Sequence, residues 1–160
     1  MPLRYRSLSS SGIFFITTST HNRIVRFFTA DDYQIAIKNI EYYRQRDCAE
    51  IFSYVIMPNH IHLLLYIPGE KSISAFMRDV KKRVAYEYFH LHRIPPEKFW
   101  QHRFDDVHIF TEEVFLIKLN YIHNNPVKAG LVSSSEEWPY SSVGYYQSEL
   151  ESPIKLTLLG

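Results

Sequence analysis

Short apolar runs alternate along the chain with segments whose apolar positions fall at helical spacing. "IFFITTST", residues 13–20, is β-branched and aromatic and follows a Ser/Gly cluster, which predicts a first strand. From Ala30 to Arg46 the positions Tyr33, Ile37, Ile40 and Tyr43 recur at three- and four-residue steps. Asp31 and Asp32 suit the start of that helix. "IFSYVIM", 51–57, and "IHLLLYI", 61–67, are strand-like runs separated by Pro58-Asn59-His60, a connection of hairpin length that predicts antiparallel pairing. Ser72 then caps a second helix with Ile73, Phe76, Val80, Val84 and Tyr88 on one stripe. A further strand over residues 107–111 leads into Glu112 and Glu113, which favour a helix N-terminus. The helical run that follows ends near Asn125-Pro126, punctuated by Pro126 and Gly130.

The order strand, helix, strand, strand, helix, strand, helix predicts an α+β fold, a ferredoxin-like antiparallel sheet with its helices on one face. At 160 residues and 46% hydrophobic content, the chain 1–160 is expected to form a single domain. The 18 Lys and Arg against 17 Asp and Glu leave a net charge of +1, so any basic surface must come from placement. One cysteine, Cys48, beside Asp47, rules out an intramolecular disulfide and makes a poor nucleophile. No apolar run approaches the ~18 residues of a membrane span, so a cytoplasmic protein is expected. The final "ESPIKLTLLG" is either a docked tail or loosely attached.

Residues i and i+2 of a strand share a face, so His60 and His62 aim at one point while Ile61 and Leu63 face the core. Two neutral nitrogen donors on one rigid element suit a metal; the alternative is a histidine pair on an exposed sheet face. A shell needs further ligands, and "LNYIHNNPVKAGLV", 119–132, supplies candidates. On a helix, Tyr121 and Asn125 share a face. An amide oxygen suits Mg²⁺ or Mn²⁺, and a phenol is a nucleophile able to leave a covalent intermediate, unless Tyr121 merely packs. A phenol's ordinary pKa near 10 means roughly 4 kcal/mol to ionise it at neutral pH, so a cation or base must help. Arg78, Lys81, Lys82 and Arg83 lie largely off the apolar stripe of their helix, as a solvated face or a phosphate-binding one.

"THNR" at 20–23, "YVIMPNHIHLLL" at 54–65, "FWQHRFDDVHI" at 99–109, "YIHNNPVKAGLV" at 121–132 and "WPYSSVGYY" at 138–146 occur in the order seen in one family. Over about residues 13–146, the core of the domain, the chain resembles the REP-associated tyrosine transposases. These belong to the single-tyrosine HUH transposases of the insertion-sequence 200/605 type. The resemblance implies a ferredoxin-like fold, His60 and His62 as metal ligands, and Tyr121 as the nucleophile. It also implies Asn125 as an amide-type third ligand, with His123 and Asn124 as rivals. The implied chemistry is Mg²⁺- or Mn²⁺-dependent cleavage and rejoining of single-stranded hairpin DNA through a 5′-phosphotyrosine link. The implied setting is nucleoid-associated, as monomer or homodimer. Arg23, Arg78, Lys81, Lys82, Arg83 and Arg103, with His102, are then candidate DNA contacts, and Trp100, Trp138 and Tyr140 either stack on bases or anchor the core. The rival readings are a catalytically idle hairpin-binding regulator and a hydrolytic metallonuclease in which water attacks.

Overall fold

A computed structural model describes residues 12–68, 72–146, 148 and 150–158. The serines just before the first strand, residues 9–11, lie outside the described residues. In chain order come β1 (Ile13–Ser19), α1 (Ala30–Arg46), β2 (Glu50–Met57), β3 (His60–Tyr66), α2 (Ile73–His92), β4 (Asp105–Ile109) and α3 (Glu112–Lys128). α1 starts at Thr29 because its hydroxyl accepts from the Asp32 backbone N–H at 3.3 Å while the Asp32 carboxylate accepts from the Thr29 N–H at 3.0 Å. Ser72 caps α2 by accepting from Ala75 N–H at 3.0 Å, and Thr111 caps α3 by accepting from Val114 N–H at 3.2 Å.

The strands form an antiparallel sheet in the order β2-β3-β1-β4, with β1 and β3 at its centre. This is the ferredoxin-like arrangement that the element order predicts. The β1–β3 register sets Thr17 opposite His62 and Ser19 opposite His60, which puts all four side chains on one face.

The helices do not all lie on one face. Ile16, Ile56, Ile61, Leu63 and Leu65 point toward α1 and α2 and share an apolar cluster with Ile37, Ile40, Phe76, Val80 and Val84. Ile13, Phe15, Val55, Met57 and Leu64 point the other way and meet Phe115 and Ile122 of α3. The physical reason is in β3 itself: the unbroken Leu63-Leu64-Leu65 run has apolar side chains on both faces, and both must be covered. His60 and His62 therefore face α3 rather than open solvent, and His62 is only 4% exposed.

The polypeptide after α3 returns along the outer edge of β2. Ile56 N–H donates to Tyr140 O at 2.8 Å, Ser142 N–H to Tyr54 O at 3.0 Å, and the Trp138 indole N–H to Ile56 O at 3.0 Å. The tail is docked, with Ile154 fully buried and Thr157 N–H bonded to Ile51 O at 2.8 Å. No helix among the described residues is long and apolar enough to cross a membrane.

Phe115 is fully buried, edge-on to Phe52 at 5.2 Å, and fixes the N-terminal half of α3 to the sheet. Phe115→Ala is expected to cost about 3–5 kcal/mol in urea unfolding, the range for removing a large aromatic from a packed core. A loss under about 1 kcal/mol would mean that α3 is not held there.

Candidate functional site

β3 and α3 build the site between them. The His60 and His62 rings lie edge to face with centroids 4.8 Å apart, and the Tyr121 ring stands 5.4 Å from that of His62. Phe15 of β1 stacks on His62 at 5.3 Å and meets Tyr121 edge-on at 5.8 Å, forming the floor beneath the phenol. Tyr121 is 40% exposed, so it is held from below and open from above.

Hydrogen bonds orient both imidazoles. Thr17 Oγ1 and His62 Nδ1 share one of 2.9 Å, a direct product of the β1–β3 register. Asn59 Oδ1 lies 2.8 Å from His60 Nδ1, while its amide nitrogen donates to Arg23 O at 3.3 Å. A carbonyl oxygen only accepts, so Nδ1 of His60 carries the hydrogen and Nε2 of the neutral ring carries a lone pair. That Nε2 faces Asn125 Oδ1 at 3.2 Å, which sets one acceptor against another. A cation placed between two such atoms satisfies both.

The electrostatics favour neutral rings. Burial pushes the His60 pKa below the ordinary value, with Asn125 pulling the other way and Arg23 adding to the depression. His62 is driven down to about 3, chiefly by burial and then by its neighbour His60. Neutral imidazoles are the metal-binding form. No group of three or more His, Cys, Asp or Glu able to hold a metal occurs among the described residues; here the third candidate donor is an amide. His60 Nε2 and Asn125 Oδ1 face each other with the neutral His62 ring beside them, a set of uncharged donors that fits a divalent cation.

The rivals for the third position separate clearly. His123 turns away from the pair, and its Nε2 bonds Ser142 Oγ at 2.8 Å beside the Tyr146 ring. Asn124 is exposed. Only Asn125 meets His60.

The basic residues divide between two places. Arg23, His102 and Arg103 line a cleft of about 400 Å³ together with Thr17, Ser19, Gln101 and Asp105, and Thr17 and Ser19 stand opposite His62 and His60 in the sheet. Arg78, Lys81, Lys82 and Arg83 ride on α2, on the opposite face of the sheet from α3. Arg78 pairs with Asp79 at 3.0 Å and Arg83 with Glu87 at 3.3 Å, while Lys81 Nζ donates to Gln101 O at 3.2 Å. Lys81 therefore ties α2 to the segment that lines the cleft. Trp100 is buried with its indole N–H on Lys81 O, and Tyr140 stacks on Tyr33 at 3.8 Å. Both rings anchor the core.

Several site residues were not singled out from sequence. Thr17, Phe15 and the orienting role of Asn59 follow from cross-strand register and from the turn that joins β2 and β3. Lys118 and Lys128 place their ammonium groups 5.9 Å and 5.8 Å from the Tyr121 ring centroid. Their spacing from Tyr121, three and seven residues along a helix, was the available signal.

The fold is that of a transposase of the tyrosine type. The model of the family described as "Transposase IS200 like" matches residues 12–125, and the chain belongs to that family. It is 29% identical over 132 residues, 82% of this chain and 76% of the relative, to the REP-associated tyrosine transposase of Escherichia coli K12. A solved REP-associated tyrosine transposase bound to a REP hairpin has the same fold, with a TM-score of 0.75 at 24% identity. The match covers 96% of this chain and 90% of that one.

Burial of the histidines makes the fold acid-sensitive. His62 and His123 titrate at about 3 and about 4 when folded, against 6.5 as free side chains. The unfolded chain therefore takes up protons that the folded one refuses as pH falls below 6.5, and stability drops. Each is expected to contribute a loss of about 2 kcal/mol between pH 6.5 and 5, seen as a falling urea midpoint. His123→Gln should flatten that fall, and stability that is level or rising toward pH 5 would contradict the assignment.

Proposed function

We propose that this protein cleaves and rejoins single-stranded DNA at hairpin sequences, with Tyr121 as the nucleophile. The observation that carries the proposal is the Tyr121 ring over His62, with His60 Nε2 and Asn125 Oδ1 facing each other beside it. In the reaction the Tyr121 Oη–P bond forms and the P–O3′ bond of the DNA breaks. The products are a 5′-phosphotyrosine and a 3′-hydroxyl, and the phenolic proton ends on the departing oxygen. The link conserves the energy of the broken ester, so a second 3′-hydroxyl can attack it and restore the strand without ATP.

His60, His62 and Asn125 would hold the Mg²⁺ or Mn²⁺ whose charge, when bound, offsets that on the non-bridging phosphate oxygens. Asn59 and Thr17 fix the two rings for this purpose, as outer partners do at metal sites. Phe15 keeps the phenol in place.

Arg23 and Arg103 hold the strand in the cleft beside the pair, and Arg78, Lys81, Lys82 and Arg83, on the other face of the sheet, are outlying contacts for the rest of the hairpin. The family membership and the hairpin-bound relative support this choice of DNA. The likeness also supports a location with the nucleoid. A single domain carries Tyr121 and both histidines, and the protein acts as a monomer or a homodimer.

The test is incubation with labelled single-stranded hairpins and Mg²⁺ or Mn²⁺. The unsubstituted protein is expected to give a denaturation-resistant protein–DNA adduct, Tyr121→Phe none, and Asn59→Ala about 10–100-fold less at limiting metal. Cleavage that persists in Tyr121→Phe would replace this reading with water attack. Hairpin binding with no cleavage in any protein would replace it with a regulator.

A further inference from the structure

Lys118 and Lys128 both bring an ammonium group against the Tyr121 ring. Lys118 lies one turn before Tyr121 on the inner face of α3, and its Nζ stands 4.8 Å from the Phe15 ring and 5.9 Å from the Tyr121 ring. Lys128, two turns beyond Tyr121, brings its Nζ to 5.8 Å from the same ring. Both distances are within cation–π range, so aromatic faces hold the two ammonium groups in place.

Neither lysine forms an ion pair with a carboxylate of the described residues, whereas Arg26, Lys38, Arg44, Arg46, Arg78 and Arg83 all do. Lys118 is half-buried, so its charge has lost part of its water without gaining a counter-ion. An anion is the missing partner. Along α3 the positions 118, 121, 125 and 128 repeat at three- and four-residue steps, so the two cations bracket the phenol and the amide on one helix face.

Resting on the reading of Tyr121 as nucleophile, we infer that Lys118 and Lys128 form a phosphate clamp. It grips the DNA backbone on either side of Tyr121 and presents the scissile diester to its Oη. Lys118, nearer the floor formed by Phe15, takes the phosphate under attack. Lys128, exposed at the end of the helix, takes a neighbouring one. After cleavage the same clamp retains the charged phosphotyrosine until a 3′-hydroxyl arrives. A lysine suits this better than an arginine locked in a bidentate pair, because its three donors swivel as the phosphate passes from one ester to the next.

The experiment compares Lys118→Met, Lys118→Arg and Lys128→Met with the unsubstituted protein. It measures single-turnover adduct formation at saturating hairpin DNA and, in the Tyr121→Phe background, the salt dependence of binding. Lys118→Met is expected to slow adduct formation at least tenfold, with Lys118→Arg recovering most of the rate. Each lysine-to-methionine change should lower the log–log salt slope by about 0.7, the share of one single-strand phosphate contact. Lys128→Met, at an exposed position, guards against a misfolded Lys118 variant and should show its slope change with an unaltered melting curve. An adduct rate and a salt slope both unchanged in Lys118→Met would overturn the clamp while leaving Tyr121 as nucleophile. Should the unsubstituted protein form no adduct, the nucleophile reading fails, and the slopes alone decide the lysines: unchanged slopes overturn the clamp, and reduced ones uphold phosphate contact.

Discussion

The packing of α3 across the second face of the sheet is the constraint on which the site depends. Phe115 and Ile122 bury completely against Ile13, Phe15, Val55, Met57 and Leu64, and this fixes the rotation of the helix about its own axis. With that rotation set, Tyr121 and Asn125 must face β3, because residues four apart share a helix face. The β1–β3 register sets the other half by placing His60 and His62 under that helix, with Thr17 and Ser19 beside them. Burial by α3 also neutralises the histidines: the contact that positions the phenol removes the water that would let His62 hold a proton.

Charge is distributed to suit a polyanion. The candidate donors at the centre are neutral, and cations stand around them: Arg23 and Arg103 at the cleft, Lys118 and Lys128 along α3. A net charge of +1 hides this pattern, because most other arginines among the described residues are paired with carboxylates away from the site. The basic run on α2 is the clearest case. The sequence leaves it between a solvated face and a phosphate-binding one; it lies on the sheet face away from α3, and two of its arginines are in ion pairs. Its link to the site runs through the Lys81 hydrogen bond to Gln101 O.

Much of the fold was legible because it is written in local signals. Asp32, Ser72 and the Glu112-Glu113 pair mark the three helix starts within a turn of where they fall, and period and turn chemistry give the rest of the element order; the caps Thr29 and Thr111 show only in the structure, the latter two residues beyond the end of β4. The pairing of His60 with His62 is equally local. The side of the sheet that α3 takes is not local, since it depends on Phe52 meeting Phe115 across the chain, although the Leu63-Leu64-Leu65 run was a sign that both faces are covered. Asn125 could be told from His123 only once the Ser142 hydroxyl was seen to occupy His123, an interaction between the helix and the segment that follows it. Lys118 escaped notice because a single lysine on a helix carries no pattern until the ring beneath it is known.

The central claim is that one tyrosine out of twelve, Tyr121, is the atom donor to DNA phosphorus. The most direct test is to trap the protein on hairpin DNA, digest the complex with nuclease and trypsin, and locate the nucleotide mass by fragmentation. The account predicts the modification on the peptide spanning residues 119–128, at Tyr121. A nucleotide on any other residue, or cleaved DNA with no modified peptide, would contradict it.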